Sequence, residues 1–232
     1  MSHANYRPDL EAEDMAATHR QLERDLRRVL SKQSVILDVG ANRGQFAEEI
    51  LAITSVEKIY SFEPVPDAYV ELLAVAERHP QIIPVDFAVS TSTGSASFFI
   101  TKSDVGSSLL APLPGQPSQW LTLEHEVIVQ TIRLDDFIRE RFPAGQEKIS
   151  LLKSDAQGAD LTVLQSAGDF LSPNYIESIL VEINFANFYQ GQQSYHQIFS
   201  LLDRAGYRMA WMYPHRAHDE WLWWADVLFI GK

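Results

Sequence analysis

The sequence predicts an α/β fold in which helices cover both faces of a mostly parallel sheet of about seven strands. Two observations support this prediction. Short apolar runs alternate with helical patterns every 20 to 30 residues or so, a spacing that is typical of βαβ units. The last two apolar runs, 207–214 and 221–232, have no helix between them and must therefore be antiparallel.

The bulk composition fits one large domain. The chain has 232 residues, of which 46% are hydrophobic, and we divide it into an N-terminal helical extension, 1–33, and a main domain, 34–232. A net charge of −12 argues against a nucleic-acid partner, because phosphate binding needs clustered Lys and Arg. The chain has no cysteine, so disulfides, thiolate metal sites and a cysteine nucleophile are excluded. Neither a secretory leader nor a membrane span is expected, which favours a cytoplasmic location.

The elements follow from apolar periodicity and from stop signals. Residues 9–33 predict an amphipathic helix, with a lid over a substrate cleft as the alternative use. Strands are predicted over 34–40, 58–64, 81–89, 149–158, 176–184, 207–214 and 221–232, and helices over 44–54, 66–80, 159–171 and 194–207. Between them, 90–102 predicts a hairpin, the Pro- and Gly-rich segment 107–121 a loop, and 125–138 a strand that enters a short helix.

The segment DVGANRG, 38–44, lies between a strand and a helix, where α/β sheets bind ligands. A dinucleotide fingerprint would need glycine at Asn42 and Gln45, and no G-K-[ST] sequence occurs in the chain. The carboxylate of Asp38 would repel phosphate but would suit an ammonium group, such as that of S-adenosylmethionine. Glu63 ends the next strand, where a carboxylate can accept hydrogen bonds from both hydroxyls of a ribose.

These motifs resemble the FkbM family of S-adenosylmethionine-dependent methyltransferases. The matching pieces, in the family's order, are DVGANRGQF (38–46), FEPVPDAY (62–69), FAVSTSTGSASF (87–98), GSSLL (106–110), VQTIRLDDFI (129–138), LLKSDAQGADLTVLQSAGDFL (151–171) and VEI (181–183). The resemblance implies a Rossmann-like class I methyltransferase fold and O-methylation of a hydroxyl on a sugar, glycolipid or natural product. Ser154, Ala156 and Asp160 depart from the family's usual residues. A binding protein that keeps the fold without the catalysis is therefore the alternative.

The resemblance also implies which residues bind the cofactor. Residues of the loop, the second strand and the third strand, together with an inserted loop and the fourth long strand, would line it. They are Asp38, Gly40, Asn42, Gly44, Phe46, Glu63, Pro64, Asp86, Phe87, Ser107, Ser108, Asp155 and Gln157. Within this set, Asp86 and Phe87 would border the adenine, and Asp155 and Gln157 would lie near the methyl donor.

Three residues are candidates for the chemistry. A hydroxyl acceptor must lose a proton, and Asp155, at the ligand-facing edge of the sheet, is the first candidate for the base. Lys153 lies on the same side of that strand and could pair with Asp155 or polarise the acceptor oxygen, although a purely structural ion pair is the alternative. Glu182 is predicted to bind substrate or to be a buried, hydrogen-bonded acid. No spacing specifies a metal site, so none is predicted, although Asp155 and Glu182 could supply oxygen ligands.

Two further groups are weaker candidates. His196, His215 and His218 could each act as a base, but isolated histidines are usually surface residues. The aromatic cluster of Trp211, Tyr213, Trp221, Trp223 and Trp224 favours core packing or a homodimer surface over stacking on an acceptor.

Overall fold

The computed structural model describes the backbone of residues 8–115, 121–142, 148–216 and 222–232. Side chains within these ranges are described except at 8–14, 104, 215 and 216. The helices are α1 (Pro8–Val29), α2 (Gln45–Ile53), α3 (Pro66–Arg78), α4 (Leu134–Arg141), α5 (Asp160–Ser166) and α6 (Tyr195–Arg204). The strands are β1 (Val35–Val39), β2 (Lys58–Phe62), β3 (Ile82–Val85), β4 (Ala88–Val89), β5 (Gly94–Thr101), β6 (Leu123–Ile132), β7 (Ile149–Ser154), β8 (Ile176–Asn184), β9 (Tyr207–Arg216) and β10 (Leu222–Gly231).

Seven strands form the main sheet in the order β3-β2-β1-β7-β8-β10-β9. The pairings from β3 through β8 are parallel, whereas β10 is antiparallel to both β8 and β9. This arrangement confirms the predicted α/β fold with its terminal antiparallel pair. The strand order reverses between β1 and β7, and such a switch point opens a crevice at the carboxyl ends of the strands.

A second sheet differs from the prediction. The segment 81–89, expected to be one strand, breaks at a turn in which Phe87 N–H donates to Val85 O, so that β3 joins the main sheet and β4 a smaller one. The hairpin expected at 90–102 is also wrong. That segment forms the single strand β5, which pairs antiparallel with β6 in a three-stranded sheet of order β4-β6-β5.

The main sheet is buried on both faces, which explains why its parallel strands are nearly continuous apolar runs. All five residues of β1 are buried. One face packs against α4, α5 and α6, and the other against α2 and α3. Helix α1 also packs on the second face, where Leu26 and Leu30 are buried in the same apolar cluster as Ile36 and Ile50.

Helix α1 is anchored to β9 by a buried polar contact. The Tyr213 hydroxyl donates to Asp25 Oδ2 at 2.9 Å, and Arg28 pairs with Asp25 Oδ1 at 2.9 Å. Helix α6 begins at a cap in which Ser194 Oγ accepts from His196 N–H. No helix in the described part of the chain is long and apolar enough to cross a membrane.

Candidate active site

The loop between β1 and α2 is built on left-handed backbone. Gly40, Asn42 and Gly44 have φ angles of 76°, 48° and 90°. A Cβ at Gly40 would lie 2.0 Å from the carbonyl oxygen of Asp155, so only glycine lets the ends of β1 and β7 approach this closely. At Gly44, a Cβ would lie 3.0 Å from Leu72 Cδ1 of α3. Gly44 therefore serves helix packing and does not reach the crevice.

A buried ion pair lies beneath this loop. Strand register places Asp38 beside Lys153, whose Nζ lies 3.2 Å from Asp38 Oδ1 and donates to Gly40 O at 3.0 Å. Asp38 is fully buried and also accepts from Ser61 Oγ at 3.4 Å. Burial alone would lower the pKa of Lys153, but the charges of Asp38 and Asp155 outweigh it and raise that pKa. Lys153 is thus a permanent cation.

In the structure, Lys153 engages the carboxylate that the sequence predicts to hold the ammonium of the cofactor. A carboxylate that holds a ligand ammonium must be accessible, but the Asp38 side chain is enclosed between β2 and β7 and is paired with Lys153. Burial raises the pKa of Asp38, although Lys153 opposes the shift. The residue acts on the crevice only through Lys153 and the loop that Lys153 holds.

Glu63 lies at the end of β2, where its carboxylate joins two loops. Oε2 accepts from Asn42 N–H and Oε1 from Val65 N–H, each at 2.8 Å. Burial raises the pKa of Glu63 to about 7, although these two hydrogen bonds act in the opposite direction. The side chain therefore changes its charge close to neutral pH, and it lines the crevice.

A first cavity, of about 700 Å³ including its mouth, runs along the carboxyl ends of β1, β2 and β7. One wall is apolar and consists of Val65, Phe87, Phe98, Val105 and Leu109. Glu63 and Asp155 mark polar positions along the opposite side. This combination of an apolar wall with a few polar groups is typical of small-molecule sites.

The loop between β7 and α5 contributes Asp155 and Gln157. Gln157 has a φ angle of 51°, and its Nε2 donates to Asp155 Oδ1 at 2.6 Å. The hydroxyl of Tyr189 lies 3.1 Å from Gln157 Oε1 and 3.0 Å from Gly106 O, in the inserted loop. Tyr189 thereby ties the inserted loop to the loop that carries Asp155.

A buried acid, Asp160, and a partly buried one, Glu182, lie behind Asp155. Asp160 Oδ1 accepts from Ser154 Oγ at 2.6 Å and from Ala156 N–H at 3.0 Å, and burial raises the pKa of Asp160 to about 6. Burial, together with the charges of Asp155, Asp160 and Asp226, raises the pKa of Glu182 well above its usual value. Glu182 accepts from Asn184 Nδ2 at 3.1 Å and lies beside a separate, smaller recess.

A second cavity, of about 1180 Å³ including its mouth, opens beside the first. The two share Gly40, Asn42, Val105 and Asp155 as a common wall. The far wall comes from α1 and from β9 and β10, and includes Thr18, His19, Tyr213 and Asp226. Asp155 is thus the one predicted catalytic carboxylate that faces both cavities, with its side chain 36% exposed.

The structure brings most of the predicted site residues together. Those that line the first cavity are Gly40, Asn42, Glu63, Pro64, Phe87, Ser107, Asp155 and Gln157, and Phe46 and Lys153 line the second. The linings of the two cavities do not include four of the predicted residues, which are Asp38, Gly44, Asp86 and Ser108. Asp86 is exposed outside the cavity, and Ser108 Oγ is hydrogen-bonded to Gln157 O at 2.8 Å, which holds the inserted loop in place.

The weaker candidates are distributed differently. His196 is exposed and its ring lies 4.0 Å from that of Tyr195, away from both cavities. Trp223 and Trp224 pack on Phe188, and Trp211 is exposed. The side chain of His215, together with His218 and Trp221, lies outside the described residues. Among the side chains that are described, no group of three or more acids and histidines could hold a metal ion.

Sequence reasoning missed Tyr189 and Asp226. Neither residue lies in a recognised motif. Asp226 is on β10, which reaches the site only through its antiparallel pairing with β8, where Asp226 is opposite Glu182. A polar residue in an otherwise apolar terminal strand was the available signal for Asp226.

The geometry agrees with comparisons to known proteins. The model of the methyltransferase FkbM domain matches residues 38–209. The chain belongs to the FkbM methyltransferase family. The 2-O-methyltransferase NoeI of Sinorhizobium fredii (strain NBRC 101917 / NGR234) is 29% identical over 183 residues, which cover 72% of this chain and 70% of NoeI. Methyltransferase sdnD of Sordaria araneosa is 28% identical over 162 residues, which cover 60% and 62% of the two chains.

Solved structures share the fold of this FkbM chain. A methyltransferase FkbM from Methylobacillus flagellatus KT has a TM-score of 0.54 at 14% identity, over 87% of this chain. The alignment spans 44% of that protein, less than half of its length. An rRNA methylase from Streptococcus thermophilus has a TM-score of 0.52 at 11% identity, over 91% and 94% of the two chains. Sp1610 from Streptococcus pneumoniae, solved with S-adenosyl-L-methionine, has a TM-score of 0.51 at 12% identity, over 91% of this chain and 72% of Sp1610.

Proposed function

We propose that this FkbM protein transfers a methyl group from S-adenosylmethionine to a hydroxyl of a sugar, glycolipid or natural product. The observation that carries the proposal is the first cavity, in which a buried carboxylate, Glu63, and an accessible one, Asp155, both line an apolar slot. The name of NoeI, a 2-O-methyltransferase, supports oxygen as the accepting atom.

The residues of the first cavity suit this cofactor. Glu63 would accept hydrogen bonds from the ribose hydroxyls through the oxygen lone pairs that Asn42 and Val65 leave unused. The apolar wall that includes Phe87 and Phe98 would cover the adenine. Asp155 would accept a hydrogen bond from the ammonium of the methionine part. When bound, S-adenosylmethionine supplies an activated methyl group, which leaves the protein to provide position and dryness.

Asp155 is the residue to which we assign the acceptor's proton. It faces the second cavity, Gln157 orients it at 2.6 Å, and Lys153 Nζ lies 3.6 Å from its Oδ2. Glu182 is the weaker candidate, because it lines a separate recess and neither of the two cavities that Asp155 borders. We assign Glu182 a supporting role near Asp155 and assign Lys153 the role of holding Gly40 and Asp155 in place.

The test combines binding with transfer. Calorimetry with S-adenosylhomocysteine should show saturable binding, and labelled S-adenosylmethionine should transfer its methyl group to a member of a panel of sugars, glycolipids and polyketides. In Asp155→Asn, transfer should fall about 100-fold or more while binding weakens by about tenfold or less. Asp203→Asn, which removes an exposed carboxylate paired with Lys232, is the matched control and should behave as wild type.

Two results would contradict the proposal. Absence of binding at millimolar S-adenosylhomocysteine would exclude the cofactor. Binding without transfer to any acceptor would favour the alternative, a binding protein that keeps the fold.

A further inference from the structure

The second cavity is distinct from the slot that we assign to the adenosine, and it is large enough for a separate ligand. Its volume of about 1180 Å³ exceeds that of the first cavity, and it meets the first only along the wall formed by Gly40, Asn42, Val105 and Asp155. A ligand in the second cavity would therefore approach the proposed cofactor at Asp155.

The charges around this cavity are mainly negative. Glu49, Asp155 and Asp226 line it from α2, from the β7–α5 loop and from β10. The cations that line it from the described side chains are Lys153 and, when protonated, His19. Lys153 is paired with Asp38 at 3.2 Å, and His19 Nε2 lies 3.4 Å from Glu23 on the same helix.

Among the described side chains, an anionic ligand would thus meet carboxylates without a free cation to balance it. Lys153 is further engaged by the carbonyl oxygen of Gly40, to which it donates at the junction of the two cavities. A phosphate would lose its hydration there and gain repulsion, whereas an ammonium or a row of hydroxyls would gain hydrogen bonds to carboxylates.

We propose that the second cavity is the acceptor site and that it selects a neutral or amino-bearing polyhydroxyl acceptor over a phosphorylated or nucleotide-linked one. The inference rests on the proposed methyl transfer and adds the class of acceptor to it. Helix α1 is then a wall of the acceptor site, since Met15, Thr18 and His19 face the cavity.

The absence of cysteine allows the charge of the cavity to be measured directly. Thr18→Cys would introduce a single thiol in the cavity wall, and Ala17→Cys would place one on the exposed face of the same helix as a matched control. Each variant is treated with a cationic methanethiosulfonate reagent, carrying trimethylammonium, and with its anionic sulfonate counterpart. Comparing the two positions removes the effect of the overall net charge.

We expect the ratio of cationic to anionic reaction rates to be about tenfold higher at Thr18→Cys than at Ala17→Cys. Adding Asp226→Asn to Thr18→Cys should lower that ratio about threefold. Adding Glu177→Gln, near the start of β8 and far from the cavity, should leave the ratio unchanged. Equal ratios at the two cysteine positions would overturn the assigned acceptor class.

Labelling also separates this inference from the proposed function. Modified Thr18→Cys should still bind S-adenosylhomocysteine with an affinity within about threefold of the unmodified protein, but should lose methyl transfer. Loss of S-adenosylhomocysteine binding on modification would assign the cavity to the cofactor and overturn the inference. No binding by the unmodified protein would instead refute the proposed function. In the acceptor panel, preferred transfer to phosphorylated or nucleotide-linked members would also overturn the inference.

Discussion

At the scale of single residues, Gly40 controls the distance between the two central strands. A positive φ angle costs any alanine about 1 kcal/mol. We expect Gly40→Ala to lower the free energy of unfolding by about 3 kcal/mol more than that, because its Cβ would overlap the Asp155 carbonyl. S-adenosylhomocysteine binding should fall with it. Urea denaturation and calorimetry measure the two effects.

Gly191→Ala is the matched control for this substitution. Gly191 has a φ angle of 74°, close to the 76° of Gly40, but a Cβ there would meet no atom within 4 Å. A loss of stability in Gly40→Ala no larger than that in Gly191→Ala would show that the contact with β7 is unimportant.

Glu63 gives the site a dependence on pH. Its pKa of about 7 in the free protein lies above the usual value of 4.5, and ribose hydroxyls donate to the ionised form. Binding should therefore lower that pKa, release protons near pH 7, and strengthen as the pH rises from about 6 to 8. Calorimetry of S-adenosylhomocysteine binding in buffers of different ionisation enthalpy measures the release.

The control for this prediction is Glu63→Gln, which cannot ionise. The variant should bind S-adenosylhomocysteine about tenfold more weakly than wild type, and its binding should lack the proton release that wild type shows. Identical proton release in the variant would assign the pH dependence to another group.

The ionised carboxylate of Glu63 should favour cofactor binding, but it disfavours the folded state. Because the folded state raises the pKa of Glu63, its contribution to stability is complete below pH 4.5 or so and is lost as the pH rises through about 7. The free protein thus carries an unfavourable buried charge at alkaline pH, which a ligand that hydrogen-bonds Glu63 would relieve.

Sequence alone located these residues but not all of their partners. Gly40 and Glu63 follow from strand ends, which apolar patterning reveals. The pairing of Asp38 with Lys153 depends on the register of two strands far apart in the chain, and no local pattern encodes that register. For this reason the sequence did not reveal that Asp38 is enclosed in an ion pair.

At the scale of elements, the inserted loop and the β7–α5 loop are joined through Tyr189. Removing its hydroxyl in Tyr189→Phe would leave Gln157 Oε1 and Gly106 O without that partner. We expect about a tenfold fall in kcat for methyl transfer, with hydrogen exchange accelerated around 103–110, because Asp155 loses its orientation.

Tyr207→Phe is the control for a buried hydroxyl outside the site. The Tyr207 hydroxyl donates to Ile176 O at 2.8 Å, at the opposite end of β8. Both variants should lose about 1 kcal/mol of stability, but only Tyr189→Phe should lose kcat. Equal kinetic effects would reduce Tyr189 to a purely structural residue.

Helices and strands were predicted well where the apolar periodicity and the start and stop signals agree. Pro66 opens α3 as expected, and β1 is a buried strand that is apolar apart from Asp38. The segment 81–89 was misread because apolar residues continue on both sides of Asp86, whereas the chain turns at Phe87 and changes sheets. The apolar pattern reflects burial on both sides of that turn, but it does not indicate the change of direction.

At the scale of the whole molecule, α1 depends on Asp25. In Asp25→Ala, the buried hydroxyl of Tyr213 loses its partner, so we expect a loss of 1 to 3 kcal/mol or so and faster proteolysis within α1. Urea denaturation and limited proteolysis measure both effects. Glu23→Ala, on the same helix but more exposed, should change stability by about 0.5 kcal/mol or less. Equal losses in the two variants would contradict an anchoring role for Asp25.

The overall architecture was predictable because alternating strands and helices permit few topologies. The position of α1 was not, since an amphipathic helix does not specify its partner. The division of the chain into an extension, 1–33, and a main domain, 34–232, remains a prediction. In the structure, Leu26 and Leu30 of the extension share an apolar cluster with residues of β1 and α2.

The strand order also implies an order of assembly. Strand β10 follows β8 and β9 in the chain yet lies between them, so β9 cannot join the sheet until β10 has paired with β8. Tyr213 and Asp226, which border the second cavity, and the anchor of α1 all depend on this late, non-local step. The first cavity is bordered by residues from 39 to 159 and requires none of it. A folding intermediate that lacks this pairing would thus already contain the proposed cofactor site but not the proposed acceptor site.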